Sequence, residues 1–559
     1  MAVSTSRYRQ TRGSGHTAGF PRSAFGRSFG AVFGSPYLTI LWLLALSTSL
    51  LVLVPPGYLL LRSLDAGSDL WPLVFRERTL LILRNTVGLG LAVGIGGILI
   101  AVPLAWLTTR TDLPFRRFWS VVAPLPLVIP SYAGALAVIG TLGPRGLVQH
   151  WLEPLGIERL PSIYGFPGAA MTLILFTYPY VYLTARAALL GLDPGTEEAS
   201  RSLGRGRWRT LLTCTLPQLQ PSIGAGALLA VLYAMSDFGV VTLMRFDVFT
   251  RVIYTQYRSA FDRSLASALG VMLIVLAAAV LWGEYRLRRR GSFYRLGSGA
   301  ARRQPTVQLG RWRWLAAAWC ALIAILSLGV PLATLGWWAT AGSSAATGLD
   351  GLPSLAANSV ALSVLAALAT VSAALPIAIL AVRSQARLAA VVSRLTYLGF
   401  AVPGIAIGLA FVFLGARYLT PLYQTLPFLI LALTIRHLAQ SVGATQSALA
   451  QVNPRLEEAA RALGRSPLAT LRHVTLPLVW PGVASGALLV LITVLKELPI
   501  TLLLGPTGFG TVATGIWSAT GAGQYGRAAT GAMVLILLTI PPTLLLGGRL
   551  SRRRATAFR

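Results

Sequence analysis

The sequence is poor in charge: Asp, Glu, Lys and Arg make up 12% of its 559 residues, while hydrophobic residues make up 55%. A soluble fold of this length needs a far more charged surface. With a mean hydropathy of +0.67, the solvent for most of this chain is lipid. Cysteine is scarce too. Cys214 and Cys320 have no metal-ligand spacing and cannot build a disulfide framework. His437 by itself makes no metal site. Lysine occurs once, as Lys496 behind Val494-Leu495 in an apolar run. A P-loop needs a lysine after its glycines to reach the phosphates, so no ATP-hydrolysing motif is present. No nucleophile–base pair supports a membrane enzyme.

Acidic residues number 17 against 48 basic ones, a net charge of +31. Such an excess suggests nucleic acid, but its placement argues against that partner. The arginines sit in short tracts between apolar runs, which is how membrane proteins anchor their cytoplasmic loops.

Apolar windows long enough to cross ~30 Å of hydrocarbon fall near 37–61, 85–108, 119–142, 166–190, 218–243 and 265–284. A second set falls near 313–338, 358–382, 392–415, 425–447, 480–504 and 528–547. Backbone groups in lipid must be satisfied internally, so the spans are helices. With the N-terminus inside, the cytoplasmic segments hold 34 arginines and the opposite loops 12, which places both termini in the cytoplasm. Residues 1–36, with Arg7, Arg9, Arg12, Arg22 and Arg27, read as a disordered cytoplasmic tail rather than a cleavable leader.

The two sets are repeats. Asn85, Pro103, Arg110 and Pro130 match Asn358, Pro376, Arg383 and Pro403 at an offset of 273. Pro194, Glu197-Glu198-Ala199 and Leu216-Pro217 match Pro454, Glu457-Glu458-Ala459 and Leu476-Pro477 at an offset of 260. The difference is an insertion in the first half, which the loop near 143–165 would house. Six spans per half make the repeats parallel. The expected organisation is a first half over 37–290, a cytoplasmic linker over 291–311, a second half over 312–550 and a basic tail over 551–559.

The most informative stretch occurs twice, between the fourth and fifth spans of each half. Glu198-Ala199-Ser200, three residues, Gly204, nine residues, Cys214, Thr215 and Leu216-Pro217 form the first copy. Glu458-Ala459-Ala460, Gly464, Val474, Thr475 and Leu476-Pro477 form the second with identical spacing. Each copy reads as two short helices around a glycine. Asp193-Pro194 and Asn453-Pro454 have the form of an N-cap and first helical residue. Glu197 and Glu457 lie four residues before Arg201 and Arg461, an order that favours a helical ion pair. Gly204 and Gly464 allow a sharp turn or a close backbone approach. A loop that needed only to be soluble would not hold this spacing in two copies.

These loops resemble the E-A-A signature (three residues, G, nine residues, I, one residue, L-P) of binding-protein-dependent ABC importer permeases, from which Ser200, Cys214 and Val474 depart. The resemblance implies an all-α polytopic fold of about 12 transmembrane helices in the bacterial inner membrane. It implies that Glu197, Glu198, Ala199, Gly204, Leu216 and Pro217, with Glu457, Glu458, Ala459, Gly464, Leu476 and Pro477, belong to loops that seat in a cytoplasmic ATPase. Two ATPase copies and an extracytoplasmic binding protein would be the partners. ATP would be used by the ATPase, and this chain would bind no cofactor.

A charge at mid-bilayer is costly, about 2.5–3.5 kcal/mol on insertion scales, so each needs a reason. Asp237, Arg436, Lys496 and Glu497 fall inside spans, with Tyr132, Tyr178, Tyr180 and Tyr182 adding hydroxyls. These side chains either line a pathway between the halves or pair to fix packing. Asn85 and Asn358 open their spans as expected N-caps. The stretches Leu495-Lys496-Glu497-Leu498-Pro499 through Leu504, Gly508-Phe509-Gly510-Thr511, Ile516-Trp517 and Ser236-Asp237-Phe238-Gly239 resemble the ferric-iron group of these permeases. Thiamine, polyamine, sulfate or phosphonate are the alternative solutes, and a six-plus-six secondary transporter is the rival without need of duplicated loops.

Overall fold

The computed structural model describes residues 36–65, 72, 74–144, 146–157, 159–192, 194–260, 263–289, 306–341, 351–384 and 386–556. The tail expected over 1–36, all but its last residue, and residues 291–305 of the linker lie outside them. Among the described residues, ten helices are long and apolar enough to cross a membrane, and two bent pairs raise that number to twelve. In the first half, spans one, two, four, five and six are Pro36–Leu64, Glu77–Arg110, Phe166–Gly191, Leu211–Ser236 and Ser264–Gly283. In the second, spans seven, eight, ten, eleven and twelve are Gly310–Ala341, Leu352–Arg383, Leu426–Leu449, Pro467–Leu495 and Tyr525–Leu546. The helix of span twelve continues to Thr556.

Spans three and nine correct the expectation of one unbroken helix each. Arg116–Val128 meets Ser131–Leu155 at 97°, and Arg387–Gly399 meets Gly404–Tyr418 at the same angle. The cause is local. Pro130 and Pro403 disfavour the helical conformation in the residue before them, and Ile129 and Val402 are extended at ψ 124° and 122°. The equivalent prolines therefore place the same elbow in both halves.

Spans five and eleven are also shorter than the apolar windows suggested. Their helices stop at Ser236 and Leu495 and resume as the short helices Gly239–Leu243 and Pro499–Leu504. Asp237, Lys496 and Glu497 thus sit at helix breaks rather than inside a helix. At the other end both helices reach back into the loop that precedes them through a π-helical turn, Leu211–Thr215 and Leu471–Thr475. Pro217 and Pro477 lack the N–H for the next helical bond and would crowd the carbonyl four residues back. A widened turn relieves that, and Leu216 and Leu476 N–H bond to the carbonyls of Leu211 and Leu471.

Within each half, spans two, four and five pack together, as do eight, ten and eleven. Small residues allow the close approach, as expected where lipid gives no hydrophobic drive between helices. A Cβ on Gly226 would lie 2.6 Å from the Val181 Cα, and one on Gly486 3.3 Å from the Ser441 Cα. These pairs are repeat equivalents. Span one crosses to the second half, packing on spans eight and nine, and span seven reciprocates on span three. Thr141 and Thr334 share a hydrogen bond of 2.8 Å at that crossing. The insertion in the first half forms the short helix Leu147–Leu152.

Candidate functional site: two coupling loops and a charged seam

The first helix of each loop is Pro194–Ser202 and Pro454–Ala462. Asn453 caps the second copy, its Oδ1 accepting from Arg455 N at 3.1 Å, while Asp193 lies outside the described residues. Both helices end in a Schellman turn. Arg205 N bonds to Ser200 O and Gly204 N to Arg201 O, and the same bonds run from Arg465 to Ala460 and from Gly464 to Arg461. Gly204 and Gly464 have φ of +79° and +83° with open space around them. Of the two sequence readings for these glycines, the sharp turn is the one observed.

The turn presents one exposed apolar tip per loop. Leu203 and Leu463 are 80% and 85% exposed, beside exposed Glu198, Ala199, Glu458 and Ala459. Leu216, Pro217, Leu476 and Pro477 stand behind the tip at the start of the spanning helices.

Glu197 and Glu457 point the other way. The expected pairing with Arg201 and Arg461 is replaced by a tie to the membrane helices. Glu457 Oε1 accepts from Arg383 Nη2 at 3.0 Å and from the Thr475 hydroxyl at 3.1 Å. Glu197 Oε1 accepts from Arg110 Nη2 at 3.2 Å and from the Thr215 hydroxyl at 2.9 Å. Burial explains the choice, since the Arg110 side chain is only 4% exposed and an arginine there requires a carboxylate. Arg461 Nε instead donates to its own helix at Glu457 O. The departure at Ser200 has a partner as well: its hydroxyl bonds to Thr210 Oγ1 at 3.2 Å. The equivalent Thr470, opposite Ala460, has no partner for its buried hydroxyl.

The charged seam lies where the helix breaks meet. Asp237 Oδ2 accepts from Ser131 Oγ at 2.6 Å and Oδ1 from Val240 N at 2.8 Å. In the second half, Glu497 Oε1 accepts from Ile500 N at 3.3 Å and lies 3.0 Å from a Cβ placed on Gly404. Ser131 and Gly404 are equivalent, so each half sets a carboxylate against the first residue beyond its span elbow. The shorter acid meets serine and the longer one meets glycine. Arg436 donates to Val402 O at the second elbow and lies within electrostatic reach of Glu497. Lys496 Nζ donates to Leu127 O of the first half at 2.8 Å. Tyr132, buried with its hydroxyl unpartnered, is also within reach of Glu497.

Tyr178 and Tyr182 stand elsewhere. Tyr182 shares a 3.1 Å bond with Thr108 of span two, and Tyr178 bonds to Ser327 of span seven. The Tyr180 and Tyr233 rings pack 6.0 Å apart, and Tyr233 is within reach of Asp237. Asn85 and Asn358 are not N-caps, because their helices begin at Glu77 and Leu352. They donate across to Asp247 O and Gly510 O, each at 3.0 Å. On the far side of the seam, Phe238 packs on Trp517 of the other half at 4.9 Å and on Tyr254 at 4.8 Å. Among the described residues no cluster of His, Cys, Asp and Glu could hold a metal ion. Ser131, Gly404 and Tyr233 carried no signal beyond their place near a repeated proline or acid.

The family model described as binding-protein-dependent transport system inner membrane component matches residues 95–291 and 374–554. The chain belongs to this permease family. Both matches leave out the crossed-over first span of each half. These permeases are transport components of ABC importers and not themselves catalytic, and they work with an ATPase and a binding protein. The permease is 32% identical over 511 residues to the Fe(3+)-transport system permease protein FbpB 2 of Haemophilus influenzae, covering 90% of this chain and 97% of that one. It is 26% identical to the ferric transport system permease protein FbpB of Actinobacillus pleuropneumoniae, over 82% and 69% of the two chains. The sulfate transport system permease protein CysT of Escherichia coli is 24% identical over 44% of this chain and 92% of its own.

Proposed function

We propose that this permease imports ferric iron across the bacterial inner membrane. The observation that carries the reading is the 32% identity to a ferric permease along nearly its whole length. Ferric ion is the cargo, delivered by a binding protein, and the chain itself binds no cofactor. Both termini face the cytoplasm, and so do the two loops. Leu203 and Leu463, with Glu198, Ala199, Gly204 and their equivalents, each seat in one copy of the ATP-binding subunit. Glu197 and Glu457 do not dock; they tie the loop to spans two and eight through Arg110 and Arg383. Closure of the ATPase pair then moves spans five and eleven as rods, since each helix runs unbroken from the loop to the seam. Asp237, Glu497, Arg436, Lys496 and Tyr132 border the path between the halves, while Tyr178 holds span seven against span four.

The test is uptake into proteoliposomes holding the permease, its ATPase and its binding protein. Radiolabelled Fe³⁺ should accumulate with ATP, and thiamine and sulfate should not. Accumulation of either of these in place of iron would overturn the solute assignment.

A further inference from the structure

Lys496 is the single lysine of the sequence, and it reaches out of its own half. Its ammonium donates to Leu127 O, 369 residues away in sequence, at 2.8 Å. Leu127 lies in the 3₁₀ turn Leu125–Val128 that ends the first arm of span three. Carbonyls in the last turn of a helix have no following N–H, and in lipid each must find a donor. The second half supplies one here, the Lys496 ammonium; the Thr539 hydroxyl of span twelve stands 3.5 Å from Val128 O but is closer, at 2.8 Å, to Ile536 O of its own helix. The bridge is one-sided. The first-half equivalent of Lys496 is Ser236, whose side chain is too short for such a reach. Arg436 performs the corresponding task at the second elbow, on Val402 of its own half. Next to it, Glu497 stays within its half, on Ile500 N.

Span eleven makes this contact sensitive to the cytoplasm. It runs as one helix from Pro467, three residues past the Schellman glycine, through its π-helical turn to Leu495. Its 29 residues make a rod of about 43 Å at 1.5 Å per residue. Any displacement of the second coupling loop along that axis arrives at Lys496. A desolvated ammonium is too costly to leave without an acceptor, so the halves separate at this point only when the contact is exchanged for another.

We propose that Lys496 is a positioning residue that latches the two halves, and that its release from Leu127 is the step through which ATPase closure opens the seam. This rests on the importer reading above, not on the solute. The experiment uses the full chain with its ATP-binding subunit in nanodiscs, with ATP hydrolysis followed with and without the binding protein. Lys496→Met should raise binding-protein-independent hydrolysis about fivefold or more, the low end of typical coupling, and shrink the stimulation ratio. Lys496→Arg, which can reach the same carbonyl, should restore the ratio. A fall of hydrolysis and thermal stability together, with the ratio unchanged, would mean a structural role only and overturn the latch. Unchanged basal hydrolysis would overturn it too. Should the methionine variant fail to assemble, Lys496→Leu, which also lacks a donor, carries the same readout. Failure of iron uptake by the wild type would sink the solute assignment and leave the hydrolysis ratio to judge the latch.

Discussion

Arg383 Nη2 lies 3.0 Å from Glu457 Oε1, joining the end of span eight to the first helix of the second repeated loop, Pro454–Ala462. The repeat builds the same tie from Arg110 and Glu197. The pair is largely buried in both halves, so removing one partner leaves the other charge without compensation. Arg383→Met should destabilise the permease by about 3 kcal/mol and lower ATPase binding. Glu457→Gln in the same chain should recover part of the loss. Thermal unfolding in detergent and pull-down of the ATP-binding subunit measure both. Additive losses would show that the two side chains do not act together.

At Gly204 and Gly464 a Cβ meets nothing, and the constraint is the left-handed backbone alone. Gly464→Ala should cost about 1 kcal/mol and leave the chain inserted. Replacing both glycines with tryptophan should abolish uptake, since it strains the turn and blocks the tip that the ATPase would receive. Normal uptake by the double variant would remove these loops from the coupling machinery.

Glu497 approaches the backbone of Gly404 because that residue has no side chain. Gly404→Ala brings a methyl to 3.0 Å from Oε1 and should reduce uptake with the protein still assembled. Shortening the acid, Glu497→Asp, in the same chain should restore it, reproducing the small-residue and aspartate combination of Ser131 and Asp237. A double variant no better than Gly404→Ala would separate the two positions.

Thr470 is buried with no partner for its hydroxyl, whereas Thr210 has Ser200. Thr470→Val should therefore be neutral or stabilising. Thr210→Val removes one hydrogen bond from Ser200, which keeps Cys214 as a partner, and should cost about 1 kcal/mol. Melting temperatures of the two variants in the same detergent give the comparison, and equal shifts would contradict it.

Much of this protein is determined by sequence alone. Apolar length and the placement of arginine suffice for the helical membrane fold, because hydrocarbon accepts only runs with satisfied backbone. The duplication and its loops were legible because equivalent residues recur at fixed offsets, whereas the choice between a sharp turn and a close backbone approach at Gly204 and Gly464 took the observed φ of +79° and +83°. What the pattern of residues left undecided is where helices stop and which charges meet. Apolar windows ran straight through Pro130, Pro403, Asp237 and Glu497, since hydropathy averages over a break that one dihedral angle makes. The sequence neighbours Arg201 and Arg461 looked like partners for Glu197 and Glu457. Tertiary packing overrode them, because a buried arginine at the end of span two or eight has more to gain from a carboxylate than an exposed one has. Likewise nothing near Lys496 in sequence points to Leu127. Only the meeting of the two halves puts an ammonium beside a carbonyl that its own helix had left without a donor.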